Sequence, residues 1–117
     1  MKSIRIETAP KIQPVKGIEM AILGSGDRMT LIRILAQPGS TLAEHSHPHE
    51  QIGTCLEGEA ELVVGRERLK VEPGVSWAIS GGEPHSFVVR GTRPVVIYEC
   101  WSPPREDYLA MAKKTHA

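Results

Sequence analysis

Residues 45–51 read HSHPHEQ and concentrate side chains that bind metals in one short segment. His45, His47 and His49 stand at alternate positions, so an extended segment would place all three on one face. Neutral imidazole is the commonest protein ligand for transition metals. Short histidine patterns also arise without a metal, in polar surface loops. From these residues alone, either the segment holds a metal or it is a histidine-rich loop.

Short apolar runs on either side of this segment indicate the elements that must position it. The chain has 11 glycines and 9 prolines, which separate runs rich in Val, Ile and Leu. These runs predict strands at 29–36, 61–65, 68–71, 75–80, 86–90 and 94–101. Many short strands with turn residues between them are typical of an all-β sandwich or barrel. We predict one all-β domain over residues 1–117, with its barrel core at about 28–102.

The last part of the chain has the pattern of a short helix. In PPREDYLAMAKK, Pro104 suits the first helical position, acidic residues follow it, and Lys113 and Lys114 stand at the end. This order complements the helix dipole. We therefore predict a C-terminal helix at about 104–114, and we expect no specific role for His116 beyond it.

Composition excludes several classes of partner. Among 117 residues the formal net charge is zero, so no basic excess is available to neutralise nucleic-acid phosphates. No apolar run has the length of a signal peptide or of a bilayer span. We expect a cytoplasmic protein that binds neither nucleic acid nor membrane. Cys55 and Cys100 are then expected as free thiols, since the cytoplasm is reducing.

Two longer segments carry a family resemblance. Residues 39–58 read GSTLAEHSHPHEQIGTCLEG, and residues 74–89 read GVSWAISGGEPHSFVV. Their glycine and histidine spacings resemble the two motifs of the cupin superfamily, over roughly the middle half of the chain. The resemblance implies a single double-stranded β-helix barrel of the jelly-roll type. It also implies a homodimer, since small cupins commonly pair through a sheet face.

The same resemblance implies a set of metal ligands. By position in the two motifs, the ligands of one divalent transition metal are His45, His47, Gln51 and His85. The sequence departs from the family at Gln51, which replaces an acidic ligand, and at the scaffold positions Ser80 and Val89. Four neutral ligands leave the full charge on the metal and make it a stronger Lewis acid, although a carbonyl oxygen binds more weakly than a carboxylate. Iron, nickel, zinc, manganese and copper all remain open.

A narrower resemblance lies in HSHPHEQIG and in SPPREDYL near the end. Both are similar to the small cupins related to the pectin-degradation protein KdgF, which act on unsaturated uronates. That family also uses three histidines and a glutamine. Its acid-x-aromatic-S-P-x-Arg pattern corresponds to ECWSPPR here, which implies Glu99, Trp101 and Arg105 as catalytic residues. Trp101 and Arg105 would also bind an acidic small-molecule substrate, Arg105 through two hydrogen bonds to its carboxylate.

Each of these three residues also has a purely structural interpretation. Glu99 could form an ion pair with Arg105 or with Arg33, and Trp101 could simply close the core. Glu99 and Trp101 stand where the family has Asp and Phe, so the shape of the pocket and the substrate stay open.

Strand alternation alone suggests further candidates. Arg33 lies among apolar residues and either reaches into the barrel to bind an acidic substrate or is a surface charge. Cys55 shares a strand face with Gln51 and lies either near the metal or in the core. His49 is a rim residue, a proton carrier or a support for a ligand. Trp77 packs inside the barrel or at a dimer contact.

Three functions are compatible with this set of residues. The first is a metal-dependent enzyme that converts an unsaturated uronate, or a related enol, to its linear keto form. The second is an iron-dependent cupin dioxygenase, which oxygen consumption would distinguish. The third is a non-enzymatic cupin that binds a metal or metabolite.

Overall fold

We describe the chain from a computed structural model, which covers residues 1–116 and the side chains of residues 1–114. The expectation for His116 therefore lies outside the described side chains. The described part contains a short 3-10 turn, ten strands and one helix. In chain order they are the turn Ile6–Thr8, β1 Lys11–Val15, β2 Ile18–Ser25, β3 Thr30–Ala36, β4 Thr41–His45, β5 Glu50–Glu57, β6 Ala60–Val64, β7 Glu67–Val71, β8 Ser76–Ile79, β9 His85–Val88, β10 Val95–Ser102 and α1 Glu106–His116.

The strands form two antiparallel sheets. The larger sheet has the order β1-β2-β3-β10-β5-β8, and the smaller one β4-β9-β6-β7. This is the all-β architecture with one C-terminal helix that the strand pattern predicted. Strands β1 and β2 lie outside the range 28–102 expected for the barrel core, and β2 pairs with β3 along its length.

The apolar core lies between the facing sides of the two sheets. On β3, the alternate residues Ile32 and Ile34 are buried, and so is Ile97 on the neighbouring β10. Leu62 and Phe87 join the same cluster from the smaller sheet. Burying one such side chain contributes about 1.5–3 kcal/mol, so the core fixes the separation of the sheets. The candidate site lies between the same two inner faces.

Helix α1 begins two residues after Pro104, close to the predicted start, and it extends to His116. Ala112 is buried in the core cluster, while Tyr108 and Leu109 pack against that cluster. Within the described residues, no helix is long and apolar enough to cross a bilayer. Both cysteines are free thiols, as predicted.

Candidate metal centre

Adjacent strand ends of the smaller sheet, with the loop after β4, bring three histidines together. His45 is the last residue of β4 and pairs with His85, the first residue of β9. His47 follows in the loop after β4. One ring nitrogen from each of the three lies within 4.8 Å of the others. Two histidines of HSHPHEQ and the distant His85 thus form one cluster.

Backbone carbonyls fix the tautomer of all three rings. The Nδ1 atoms of His45, His47 and His85 lie 2.8, 3.1 and 2.8 Å from the carbonyl oxygens of residues 43, 49 and 83. A carbonyl oxygen only accepts, so each Nδ1 must carry the proton. Each Nε2 then keeps its lone pair, which is the form of histidine that binds metals through Nε2.

The loop that carries His47 is held by the turn between β8 and β9. The Gly82 backbone N–H donates to the carbonyl of His47 at 2.8 Å. A Cβ on Gly81 would collide with the Pro48 carbonyl oxygen, so only glycine allows this approach. Gly82 has φ +85°, a left-handed conformation that favours glycine. The two glycines therefore help to place His47, the second candidate ligand of the cluster.

Gln51 supplies a fourth acceptor from the larger sheet. It is buried on β5, lines the same cavity as the three histidines, and pairs with Trp101 on β10. Its Nε2 donates to Glu99 Oε2 at 2.8 Å. Its Oε1 is buried and accepts no hydrogen bond. An unsatisfied buried acceptor is rare, since its desolvation costs about 1–3 kcal/mol.

The four candidate ligands therefore fit a divalent transition metal. Three imidazole lone pairs and one amide oxygen face one cavity, and none of these atoms can donate a proton there. Such a set suits a cation that prefers nitrogen and oxygen ligands. The positive charge of Arg105 acts on this cavity and contributes to lowering the pKa of both His47 and His85.

Burial is the main reason for those lowered pKa values. Desolvation, followed by the charge of Arg105 and by the other histidines, lowers the pKa of His47 from 6.5 to about 4. Burial also lowers the pKa of His85, although its hydrogen bond to the Glu83 carbonyl acts in the opposite direction. His47 is therefore neutral at neutral and mildly acidic pH, as metal binding requires, and the lowered pKa of His85 also favours its neutral form.

Glu99 is a buried carboxyl group beside Gln51. Its Oε2 accepts two hydrogen bonds, from Gln51 Nε2 at 2.8 Å and from Trp77 Nε1 at 3.1 Å. Desolvation raises the pKa of Glu99, and the hydrogen bonds from Trp77 and Gln51 oppose that rise. The nearby Trp101 indole N–H also lowers the pKa of Glu99, although this N–H forms no hydrogen bond.

Arg105 is held between two aromatic rings. Its guanidinium carbon lies 4.6 Å from the ring centre of Trp101 and 3.9 Å from that of Tyr108. Nε and Nη2 donate to the two oxygens of Asp107, at 3.0 and 2.8 Å. The backbone N–H of Arg105 donates to Thr30 Oγ1, which ties the segment to β3. Arg105 holds the pKa of Asp107 below its usual range.

All these groups line one narrow cavity of about 40 Å³. Its walls include the four candidate ligands together with Trp77, Glu99, Trp101 and Arg105. Sites for drug-sized molecules are usually about 300–1,000 Å³. The cavity as it stands is therefore much smaller than a site for a drug-sized molecule.

Three residues for which the sequence left two interpretations open are now placed by the structure: Arg33, Glu99 and Cys55. Arg33 lies on the outer face of β3, because Ile32 and Ile34 occupy the core face, so the structure has the second of its two expected placements, a surface charge, and corrects the first. Among the described residues Glu99 forms no ion pair with either arginine, since Arg105 pairs with Asp107. Cys55 belongs to the core cluster and does not line the cavity.

His49 and Trp77 complete the surroundings of the ligands. The His49 ring lies 5.3 Å from that of His47, and its Nδ1 is buried without a hydrogen bond. Trp77 packs inside the barrel, and its contact with Glu99 was not predicted. The sequence does hold one indication of it: Gly53, which pairs with both Glu99 and Trp77, leaves an empty position between them.

The sequence matches the cupin domain family over residues 33–101. The chain belongs to the cupin family.

This cupin also resembles individual proteins. It is 40% identical over 76 residues to the HTH-type transcriptional regulator PuuR of Escherichia coli (strain K12), a match that covers 62% of the chain and 41% of the regulator. The chain thus spans about two fifths of the length of that relative. An RmlC-like cupin from Shewanella frigidimarina superposes with TM-score 0.83 at 21% identity, over 92% of this chain and 96% of that one. KdgF from Halomonas sp. superposes with TM-score 0.80 at 23% identity, over 92% and 99%. These two likenesses establish the fold.

Proposed function

We propose that this cupin is a metal-dependent enzyme that converts an unsaturated uronate, or a related enol acid, to its linear keto form. The observation that carries the proposal is a buried, unsatisfied amide oxygen and three clustered imidazoles beside a buried carboxyl group. Gln51 Oε1 and the three histidine lone pairs would hold one divalent metal. Glu99 and Arg105 line the same cavity, where a substrate would meet them.

The reaction is an isomerisation, so a single proton carrier is sufficient. The bond between C1 and the ring oxygen breaks, the C1 hydroxyl gives up its proton, and C4 finally gains one. A bound divalent metal supplies Lewis acidity, which polarises a hydroxyl or carbonyl oxygen of the substrate. Glu99 Oε1 takes part in no hydrogen bond of the described residues and is the group that accepts and returns the proton.

Arg105 recognises the substrate carboxylate. Its guanidinium is pre-oriented by the two rings that sandwich it, and bidentate pairing with a carboxylate is its strongest geometry. Asp107 now occupies that position and is largely exposed, at 57% of its side chain. A uronate is larger than the present cavity, so its carboxylate displaces Asp107 as the side formed by Arg105 and Tyr108 opens.

The test is the ultraviolet absorbance of an unsaturated uronate with protein loaded with each candidate metal. We expect the absorbance to fall faster than in buffer, with one metal per chain. Arg105→Lys should raise KM at least tenfold because a lysine cannot pair bidentately. Arg33→Lys is the matched control and should leave KM unchanged, since Arg33 lies on the outer face. Absence of turnover with every metal would refute the enzyme proposal.

A second candidate is ligand sensing without turnover. It is favoured by the 40% identity to a stretch of a transcriptional regulator. In that case the loaded protein would bind an acidic metabolite in calorimetry but leave it chemically unchanged. Glu99→Gln would then alter affinity little, whereas in the enzyme it abolishes turnover.

A further inference from the structure

The amide of Gln51 has two unlike ends, and only one of them can bind a metal. Its oxygen has lone pairs, whereas its nitrogen carries two hydrogens and has none to offer. An acidic ligand at the same position would have no such requirement, because both of its oxygens can bind. A glutamine ligand therefore needs a neighbour that decides which end faces the histidines.

Glu99 is that neighbour. Its Oε2 lies 2.8 Å from the Gln51 amide nitrogen and also accepts from the Trp77 indole N–H. A carboxylate oxygen accepts and does not donate, so the –NH₂ end of Gln51 must face it. The same holds if Glu99 is neutral with its proton on Oε1, since Oε2 is still an acceptor. The orientation thus follows from the chemistry of the partner when Glu99 is ionised and when its proton is on Oε1.

Trp77 fixes Glu99 in turn. Glu99, Gly53 and Trp77 lie side by side on β10, β5 and β8. A Cβ on Gly53 would lie 2.7 Å from the Trp77 ring, so the indole packs directly over the glycine backbone. Because this position is empty of side chain, the indole N–H reaches across β5 to Glu99 Oε2.

We propose that Glu99 is a positioning residue that, supported by Trp77, holds the Gln51 amide with its carbonyl oxygen toward the three histidines. The positioning role rests on the proposed function, because it requires a metal to bind at the histidine cluster. Oε2 of Glu99 performs the positioning, and Oε1 is left for the proton transfer.

The experiment measures the affinity for Zn²⁺ by competition with a chromophoric chelator, and the visible spectrum of the Co²⁺-loaded protein. Three variants are compared with the wild type: E99M, E99Q and Q51E/E99M. Methionine has a similar length but no strong acceptor, so Gln51 loses its orientation. Glutamine at 99 still offers a carbonyl oxygen to Gln51 and Trp77. The double variant has a symmetric carboxylate at 51, which needs no orienting partner.

We expect E99M to weaken Zn²⁺ binding at least tenfold, within the 10–100-fold range that is usual when a partner of a metal ligand is removed. E99Q should stay within threefold of the wild type and keep its Co²⁺ spectrum. Q51E/E99M should recover at least wild-type affinity. A general loss of packing at position 99 would instead weaken E99M and the double variant alike.

Several outcomes would overturn the proposal. One is E99M binding Zn²⁺ as the wild type does; another is E99Q losing as much affinity as E99M, which would assign the effect to charge. Because glutamine has nearly the shape of glutamate, E99Q tests this even if E99M does not fold. Wild-type protein that binds metal while these comparisons fail would leave the proposed function intact. Wild-type protein that binds no metal would remove both.

Discussion

At the scale of single residues, the site depends on the direction in which each polar atom can donate or accept. The three backbone carbonyls that face Nδ1 atoms leave three Nε2 lone pairs. Glu99 likewise binds the amide nitrogen of Gln51, so the carbonyl oxygen of Gln51 remains available as an acceptor. In the proposed metal centre, these partners would specify the ligand atoms before a metal binds, which would lower the cost of organising them.

His47 should make the metal-free protein sensitive to acid. Its folded pKa of about 4 lies below its ordinary 6.5, so the unfolded chain binds a proton in this window while the folded protein does not. The stability that this provides is present above pH 6.5 and is lost as the pH falls toward 4. We expect a loss on the order of 1 kcal/mol, since the ring is partly exposed to solvent.

The measurement is urea unfolding of metal-free wild type and of His47→Gln at several pH values between 7 and 4. The variant should lose less stability across this range, because glutamine does not titrate. Some pH dependence will remain, as the pKa of His85 is also lowered. Equal slopes for the two proteins would contradict the assignment to His47.

At the scale of the elements, Gly53 is the point at which β5 makes room for the site. Gly53→Ala would place a Cβ 2.7 Å from the Trp77 ring. We expect a cost of about 1–3 kcal/mol in unfolding free energy, as for other overpacked sites, together with a shift of tryptophan fluorescence as the indole moves.

Gly24→Ala is the matched control for that variant. Gly24 also lies within a strand, and an added Cβ there meets nothing within 4 Å. Its unfolding free energy should stay within about 0.5 kcal/mol of the wild type. Similar losses for both variants would show that the glycine backbone, and not the Trp77 contact, matters at position 53.

At the scale of the whole molecule, the outer face of the larger sheet carries an apolar row. Leu31, Cys100, Ile52 and Ala78 are successive cross-strand neighbours on β3, β10, β5 and β8. Leu31 and Ile52 are 41% and 56% exposed. A contiguous exposed apolar patch of this kind usually marks a contact surface. We expect a second copy of the chain to cover it in a two-fold homodimer, as the family resemblance implies.

Ile52→Glu should convert that dimer to monomers, because two glutamates would face each other near the symmetry axis. Sedimentation velocity of the wild type and the variant measures this. Ile4→Glu is the control: Ile4 is exposed to a similar degree, at 45%, but precedes the first strand. A monomeric wild type, or an Ile52→Glu protein that stays dimeric, would refute the predicted interface.

The sequence by itself determined the strand pattern, the C-terminal helix and the four candidate ligands. Turn residues and alternation act over a few positions, so they can be recognised along the chain. The resemblance to the two cupin motifs implied His85 as the partner of HSHPHEQ. The sequence did not determine which face of β3 lies toward the core. An arginine between apolar residues fits either face until the opposite sheet is in place, which is why two placements stayed open for Arg33.

Only the tertiary structure decided the contacts that join distant strands. Trp77 is 22 residues from Glu99, and their hydrogen bond exists because β8, β5 and β10 are adjacent and Gly53 has no side chain. The hydrogen bond from the Arg105 backbone N–H to Thr30 Oγ1 likewise depends on where the segment before α1 lies against β3. These interactions depend on register and on empty space, and neither property belongs to any single residue or short segment.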